Sequence, residues 1–517
     1  MMCRGEMKRM RTTKHLKLLS IATALALCLG ACGRDSQNAA EGVSVALPEP
    51  PEFQQQQILG DRNVRDSLEV TLYCVTDGSL ELSSFTRSIH LREDETPLHA
   101  VLLELLNDTP GGGALLVGSA EAQLTGVEFG SGVATVRLAL DAGVNRSDQD
   151  YLLLYASIAN TLLGMDGVEA VNLLAGDRSI PVCGLPTGAI VRPEENIAAA
   201  YAQIQAESER FLSGGGSALS RNAILYFPSG DGRYLLPEVR QLSFSSADYA
   251  LALIEALKSG PRERACCFAA MPGNLELMAD APELIVSDAG ERVLEVHFSS
   301  TLPGYLAMAS VEPWQLYGSM ALTLLSFLPD LSALRVSIDG VYVTECAMPD
   351  GRRAQFANGL MRRDDFAFLI GSSARLYFAR EDDTLAAVEC AVSQSASASA
   401  GSILSEMIEA GDSAWEGLSS VFPEGIRPED ILGVRIENRT AIVNLSGNFY
   451  ARCQALDADS ERALIYGMVN ALAELSDVGA VSFLVEGRTV DSLSQGIYLK
   501  SPLMPDPGLV TEISASE

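Results

Sequence analysis

The sequence predicts an α+β fold of three tandem small domains, each a mostly antiparallel sheet with two helices packed on one face. The first observation is a short apolar run with a Leu-Tyr pair, which recurs at intervals of about 150 residues. The second is an amphipathic segment with an embedded glutamate, which recurs at the same interval. A period this long indicates tandem domains, because solenoid repeats run about 20–50 residues. The recurring residues are Tyr73, Tyr226 and Tyr377, and Glu104, Glu255 and Glu406.

The first repeat is predicted to run strand, strand, helix, strand, strand, helix, strand. In its first helix Leu98, Leu102 and Leu105 share one face, which is the apolar stripe that packs on a core. A Gly-Ser-Gly turn between two runs of alternating apolar residues is typical of a hairpin. The predicted elements occupy residues 70–75, 80–91, 97–106, 124–129, 133–140, 150–163 and 168–174.

Proline- and glycine-rich stretches divide the chain between the repeats. Pro193 is predicted to open a helix over residues 194–212, which a glycine run then ends. The prolines after Ser501 predict a frayed end. The predicted organisation is a signal peptide at 1–31, a flexible linker at 32–67, domains at 68–185, 221–347 and 372–492, a helical and Gly-rich linker at 186–220, a linker at 348–371 and a tail at 493–517.

The N-terminus has the pattern of a bacterial lipoprotein signal. A basic segment precedes about a dozen mostly apolar residues, fewer than the ~20 that a membrane-spanning helix needs. The run ends in Leu29-Gly30-Ala31-Cys32, a lipobox, so that cleavage between Ala31 and Cys32 leaves a cysteine for diacylation. We therefore predict a protein anchored by lipid at Cys32 to the extracytoplasmic face of the cell membrane. The alternative is an ordinary secretory signal with an incidental cysteine.

The chain is strongly acidic, with a formal net charge of −30. This charge repels polyanions, so it argues against nucleic acid as a partner and against adsorption to anionic lipid headgroups. The hydrophobic fraction of 47% is enough to build real cores.

Seven cysteines follow Cys32, and their spacing indicates no zinc site, because neither a C-x-x-C pair nor a nearby histidine is present. Cys74 lies on the first predicted strand and Cys183 follows the last turn of the first repeat. A Cys74–Cys183 disulfide would close this domain, but buried thiols fit the spacing equally well, because spacing does not give connectivity.

No recurring catalytic group is found, and we expect no enzyme, no cofactor and no metal site. After the signal, histidine occurs only at His90, His99 and His297, and none recurs in the other repeats. The recurring glutamates lie beside apolar helix positions, where a solvent-side glutamate is ordinary; paired catalytic carboxylates are the alternative. Residues 457–461 lack the glycine and spacing of a calcium loop, and they supply negative charge at a helix start instead.

Two sets of polar and aromatic residues recur without a catalytic pattern. The tyrosines are expected in the core, with an exposed row that contacts a ligand as the alternative. Asn160 and Asn470 lie within the predicted second helix of the first and third repeats. Asparagine is a poor helix former and needs hydrogen-bond partners when buried, so we expect each to bond to a neighbouring strand or loop.

The repeats resemble the GerMN domain, which typifies the GerM family of bacterial sporulation and spore-germination lipoproteins. The resemblance rests on the Leu-Tyr strand, on Asn160-Thr161-Leu162, and on the closing Val-Glu-Ala-Val and Gly-Asp pattern. The third repeat matches through residues 469–472 and Glu486-Gly487. The second is divergent, because Leu322 stands where the asparagines stand and Cys266-Cys267 lies in an atypical loop.

The resemblance implies a non-catalytic, lipid-anchored scaffold of the cell envelope that acts in sporulation or spore germination. Its expected partners are the membrane, other envelope proteins and, through the repeated domains, further copies of itself. The alternative is an envelope binding module for wall glycan or a small ligand, or an accessory to a membrane sensor.

Overall fold

The computed structural model describes the three repeats but not the N-terminus. The predicted signal peptide, Ala31, Cys32 and almost all of the linker at 32–67 lie outside the described residues. No described helix is long and apolar enough to cross a bilayer. The described residues are 64–512, except for 76–79, 93–95, 107–121, 142, 144, 215–217, 263–265, 272, 274–281, 288, 395–398, 412–416, 476 and 495.

Domain 1 contains a two-stranded antiparallel hairpin (β1–β2), a four-stranded sheet of order β3-β4-β5-β6 and two helices. The sheet turn at Ser131 and Gly132 has positive φ at both residues, 46° and 74°, as a tight hairpin requires. The long helix begins at a capping box between Ser147 and Asp150. The elements are β1 (Val64–Val75), β2 (Leu82–Arg92), α1 (Pro97–Leu106), β3 (Ala122–Gly130), β4 (Val133–Leu140), α2 (Asp148–Leu163), β5 (Ala170–Ala175) and β6 (Arg178–Ser179).

Domain 2 follows a connecting helix and has the same order of hairpin, short helix, sheet strands, long helix and parallel strand, with one extra short helix. Its main sheet has the order β12-β11-β10-β9, and β15 also pairs with β11. The elements are α3 (Ile197–Leu212), β7 (Leu219–Pro228), β8 (Leu235–Phe244), α4 (Tyr249–Lys258), β9 (Glu283–Val286), β10 (Arg292–Phe298), α5 (Leu302–Met308), α6 (Pro313–Phe327), β11 (Leu331–Ile338), β12 (Val341–Tyr342), β13 (Glu345–Ala347), β14 (Arg353–Gln355) and β15 (Leu360–Met361).

Domain 3 repeats the arrangement, with a main sheet of order β19-β20-β21-β22. Its hairpin gains a short strand on each side, giving the order β18-β16-β17-β23. The elements are β16 (Gly371–Arg380), β17 (Leu385–Ser393), α7 (Ala400–Ala410), β18 (Leu418–Ser419), β19 (Ile431–Glu437), β20 (Thr440–Leu445), α8 (Gly447–Cys453), α9 (Ala458–Ala473), β21 (Ala480–Val485), β22 (Arg488–Thr489) and β23 (Val510–Glu512).

The predicted fold class is confirmed, and the structure adds where the long helix lies. In each domain α2, α6 or α9 contacts both the hairpin and the main sheet. Along α6 every residue from Trp314 to Phe327 is buried. A helix that is buried on every side needs packing partners on every side, and in each domain the hairpin and the main sheet form two layers around the long helix.

The structure corrects three predictions about the segments between domains. The helix predicted from residue 194 begins at Ile197, because Asn196 caps it by accepting a hydrogen bond from the Ala199 N–H. The segment at 348–371, predicted as a linker, carries β14, β15 and three 3₁₀ turns. The end predicted to fray after Ser501 instead forms β23, which pairs with β17.

These corrections have a common origin in what we call the return segments, residues 187–196, 358–365 and 499–507. Each crosses back over its own domain and pairs with the strand that follows the long helix, which is β5, β11 or β21. Ile190 exchanges two backbone hydrogen bonds with Val171, and Leu503 does the same with Val481. In domain 2 the corresponding pair is Met361 with Leu334.

The three domains pack against one another. Val133 and Ala170 on the domain 1 sheet belong to the same apolar cluster as the domain 2 core. Domain 1 meets domain 3 where a Cβ on Gly130 would lie 2.3 Å from the carbonyl oxygen of Gly371. Only glycine permits that approach. Beside it, the Ser131 N–H donates to the Ser372 hydroxyl at 2.9 Å.

Candidate functional site

Asn160 and Asn470 hold the return segments of domains 1 and 3. The Asn160 side-chain amide donates to the Glu194 carbonyl, and its oxygen accepts from the Glu194 N–H, both at 2.8 Å. Asn470 does the same with Asp506, at 3.3 and 2.9 Å. The expected bond to a neighbouring loop is therefore present in both domains, and the role of each asparagine is structural.

Domain 2 has Leu322 at this position, and a different residue, Arg363, connects its return segment to the helix. The Arg363 Nε donates to the Ser326 hydroxyl on α6 at 3.2 Å. Its two terminal nitrogens donate to the two carboxylate oxygens of Glu128 in domain 1, at 2.6 and 2.5 Å. We call the two hydrogen bonds from Asn160 or Asn470 to its return segment the asparagine clamp. Domain 2 lacks this clamp and has instead an ion pair to another domain.

The Arg363–Glu128 pair is deeply buried. The side chain of Arg363 is 0% exposed and that of Glu128 is 13% exposed. Burial alone would lower the pKa of Arg363, but the neighbouring Glu128 carboxylate and the Tyr226 hydroxyl outweigh it and raise the pKa. Arg363 therefore stays charged, and its removal would leave the Glu128 carboxylate with only the more distant Arg137, at 3.8 Å, as a counterion.

The recurring tyrosines lie on equivalent first strands, β1, β7 and β16. Tyr226 and Tyr377 are buried, as the core interpretation predicts, whereas Tyr73 is half-buried. Successive side chains on a strand point to opposite faces, so one of the neighbours Tyr226 and Phe227 could be exposed. Both are about 1% exposed. The reason is that both faces of β7 are covered. Helices α4 and α6 pack against the strand, and Tyr226 lies beside Arg363 and Glu128.

The recurring glutamates differ in their partners from domain to domain. Glu104 pairs with Arg87, and Glu255 pairs with Lys258 at 2.9 Å. Glu406 accepts a hydrogen bond from the Ser393 N–H. Their side chains are 27%, 55% and 12% exposed. A shared chemical role would need shared surroundings, which these glutamates do not have.

Residues 457–461 begin α9, as predicted. The Asp457 side chain caps the helix by accepting from the Ser460 N–H at 2.8 Å. Glu461 is fully buried and accepts from the N–H groups of Leu493, Ser494 and Gly496. This carboxylate holds a loop rather than a calcium ion.

The described cysteines form no disulfide. Of the two alternatives for Cys74 and Cys183, the structure contains thiols rather than a bridge. Cys74 is buried, and burial raises its pKa to about 11. Cys266 and Cys267 place their sulfur atoms 3.6 Å apart beside a cavity of about 410 Å³ between domains 2 and 3.

His297 lies in a group of polar side chains in domain 2. Six residues project from the main sheet of domain 2 on the side away from its core, and we call them the outer-face cluster. The Arg335 guanidinium and the Tyr342 hydroxyl both donate to Glu295 Oε1, at 2.9 and 3.0 Å. His297 Nδ1 lies 2.7 Å from the Ser337 hydroxyl. The members of the outer-face cluster are Glu283, Glu295, His297, Arg335, Ser337 and Tyr342.

Sequence patterns did not reveal this cluster, because its members lie on four strands, and Glu295 is 12 residues from its cross-strand neighbour Glu283 and 40 residues from its cross-strand neighbour Arg335. The sequence signal that could have revealed the cluster is the alternation of polar and apolar side chains along the strands. Glu295 and His297 on β10 have the same spacing as Arg335 and Ser337 on β11, and the two strands are in register.

The outer-face cluster contains a serine, a histidine and a glutamate, but its geometry does not support nucleophilic catalysis. Ser337 is only 1% exposed, whereas a nucleophile must reach its substrate. His297 Nε2 lies 3.8 Å from Glu295 Oε2, which is too far for a hydrogen bond. The arrangement leaves polar atoms available for binding instead.

Residues 375–491 match the family model described as "Germane: Sporulation and spore germination". Comparison with curated protein sequences gives no match.

Among solved structures, the chain is similar to the tandem GerMN domains of the sporulation protein GerM from Bacillus subtilis. The identity is 18% over 57% of this chain and 100% of that one, with a TM-score of 0.22. The first GerMN domain of the same protein is 16% identical over 26% of this chain and 96% of that one, with a TM-score of 0.21. A candidate lipoprotein from Clostridium perfringens is 21% identical over 26% and 87%, with a TM-score of 0.19.

The family match falls on domain 3, which keeps the Leu-Tyr strand and the asparagine of the long helix, as domain 1 also does. Residues 375–491 are therefore similar to the Germane family of sporulation and spore germination.

Proposed function

We propose that this protein is a non-catalytic, lipid-anchored scaffold of the cell envelope that assembles other exported proteins during sporulation or spore germination. The Germane match of the third domain supports the biological process. The observation that carries the scaffold role is the packing of three related domains into one unit through buried contacts, above all the Arg363–Glu128 pair.

A unit of three packed domains offers docking surfaces at the edges of its sheets. The main sheet of domain 2 ends in β9 on one side and β12 on the other. Val286 on β9 and Val341 on β12 are 70% and 71% exposed, which is high for apolar residues. An exposed strand edge with apolar side chains can take up a strand from another protein, because its backbone groups are open to pairing.

The alternative of a wall-glycan module has less support. Sugar rings are commonly held on aromatic faces. Among the described residues, the lining of the cavity between domains 2 and 3 contains no aromatic side chain, and that of the cavity between domains 1 and 3 contains only Phe129.

The scaffold proposal is tested by photo-crosslinking in sporulating cells. A photoreactive amino acid replaces Val286 or Val341 in the full-length protein, and Met504, which is 72% exposed in domain 3, serves as the matched control. We expect adducts with other envelope proteins from the two edge positions, and an adduct of twice the mass where two copies associate. Adduct levels at both edges no higher than at Met504 would contradict the proposal.

The lipid anchor is tested separately with Cys32→Ala. Because diacylation needs the cysteine thiol, we expect this variant to accumulate as uncleaved precursor or to be released, while the unchanged protein stays in the membrane fraction. The measurement is immunoblotting of membrane, soluble and culture-medium fractions. A cleaved Cys32→Ala protein that remains with membranes would show that another feature provides the anchor.

A further inference from the structure

The outer-face cluster of domain 2 places two carboxylates side by side. Glu283 on β9 and Glu295 on β10 are directly opposite in the antiparallel register. Like charges in this position destabilise a sheet unless a cation compensates them. His297 follows two residues after Glu295 and therefore lies on the same face of the strand.

Hydrogen bonds in the cluster occupy one atom of each inner side chain and leave the other open. Arg335 and Tyr342 both donate to Oε1 of Glu295, so Oε2 is not used by either. The Ser337 hydroxyl bonds Nδ1 of His297, and Nε2 points toward Glu295 Oε2 at 3.8 Å. The Glu283 carboxylate completes the group, and the three donor atoms lie within 4.8 Å of one another.

This pattern matches how proteins prepare metal ligands. A ligating histidine has its second nitrogen held by a hydrogen bond, and ligating carboxylates are themselves hydrogen-bonded, which orients the remaining lone pairs. Ligand atoms that each lie about 2.1 Å from Zn²⁺ at a tetrahedral angle are about 3.4 Å apart. The Nε2–Oε2 pair at 3.8 Å needs to close by only a few tenths of an ångström.

We propose that Glu283, Glu295 and His297 bind a divalent transition-metal ion, with Zn²⁺ as the preferred ion. Imidazole nitrogen suits Zn²⁺ better than Mg²⁺ or Ca²⁺, which prefer all-oxygen sites. Ser337, Arg335 and Tyr342 act as positioning residues for the ligands. Since Glu283 is exposed, a fourth position remains open to water. This site goes beyond the proposed scaffold role and does not depend on it.

The Arg335 guanidinium sets the strength of the site. It neutralises part of the charge of Glu295, so binding is weaker than at a site with two unpaired carboxylates. It also keeps Glu295 in place when no ion is bound, because its ion pair is partly buried.

The test is isothermal titration calorimetry of the full-length protein with ZnCl₂. The protein carries Cys266→Ser and Cys267→Ser, so that the thiols of these two neighbouring cysteines do not compete for the ion. We expect one Zn²⁺ per chain. Glu283→Gln and His297→Gln should each weaken binding at least tenfold, and His90→Gln, on an exposed strand position, should leave it unchanged. MgCl₂ at the same concentration should give no comparable heat.

Two outcomes would overturn the proposal. One is no Zn²⁺ binding at about 100 μM, a concentration that detects even weak sites. The other is binding that survives both Glu283→Gln and His297→Gln. Circular dichroism checks the fold of each variant, and Glu283→Gln keeps the test decisive, because an exposed edge-strand residue can be changed without disturbing the core.

Discussion

Replacing Arg363 with methionine is expected to lower the free energy of unfolding by about 3 kcal/mol, because the buried Glu128 carboxylate loses its two hydrogen bonds and keeps only Arg137, at 3.8 Å, as a counterion. The side chain of Arg363 has no solvent exposure, and both of its terminal nitrogens bind Glu128. The loss should therefore appear first at the contact between domains 1 and 2. Urea unfolding followed by tryptophan fluorescence measures it, since Trp314 is buried in the domain 2 core.

Two controls separate the buried charge from a general effect of losing arginine. Arg353→Met removes an exposed ion pair with Glu345 and should leave the unfolding midpoint unchanged. Arg363→Met/Glu128→Leu removes both buried charges and should recover much of the lost stability. An Arg363→Met midpoint equal to that of Arg353→Met would show that the interdomain pair contributes nothing.

Asn470→Leu is expected to release the third return segment and to destabilise domain 3 by about 3 kcal/mol. The substitution leaves the partly buried N–H and carbonyl of Asp506 without their Asn470 partners, and an unsatisfied group costs about 1–3 kcal/mol where it is kept from water. Residues 499–507 should then become sensitive to protease. Thermal unfolding and limited proteolysis with mass spectrometry measure the two effects.

The reverse substitution in domain 2 is the matched control. Leu322→Asn places a side-chain amide in an apolar cluster at a position that is 0% exposed, so it should also destabilise the protein. Unchanged protease sensitivity in Asn470→Leu would show that the pairing of Leu503 with Val481 holds the segment without the clamp.

Much of each domain could be predicted from local patterns. The Leu-Tyr strands, the leucine stripe of the first helix and the hairpin around Ser131 all appear where their sequence places them. The asparagines were recognised as structural because a buried amide in a helix must find partners. These predictions succeeded because each depends on neighbouring residues or on a repeat that can be read along the chain.

The segments after each domain could not be predicted in the same way. Residues 348–371 and the chain after Ser501 carry little periodicity, so they resemble linkers. They become ordered because strands β5, β11 and β21 offer unpaired backbone groups, which is a property of the assembled sheet rather than of the segment.

The sequence by itself determined the three α+β repeats, the likeness to GerM and the degeneration of the second repeat at Leu322, because periodicity and composition express them directly. Only the tertiary structure decided that Arg363 reaches Glu128 in another domain, and that Glu283, Glu295 and His297 share one face of a sheet. The physical reason is that both groups depend on strand register and domain packing. Register and packing join residues distant in the chain, and no local preference encodes that proximity.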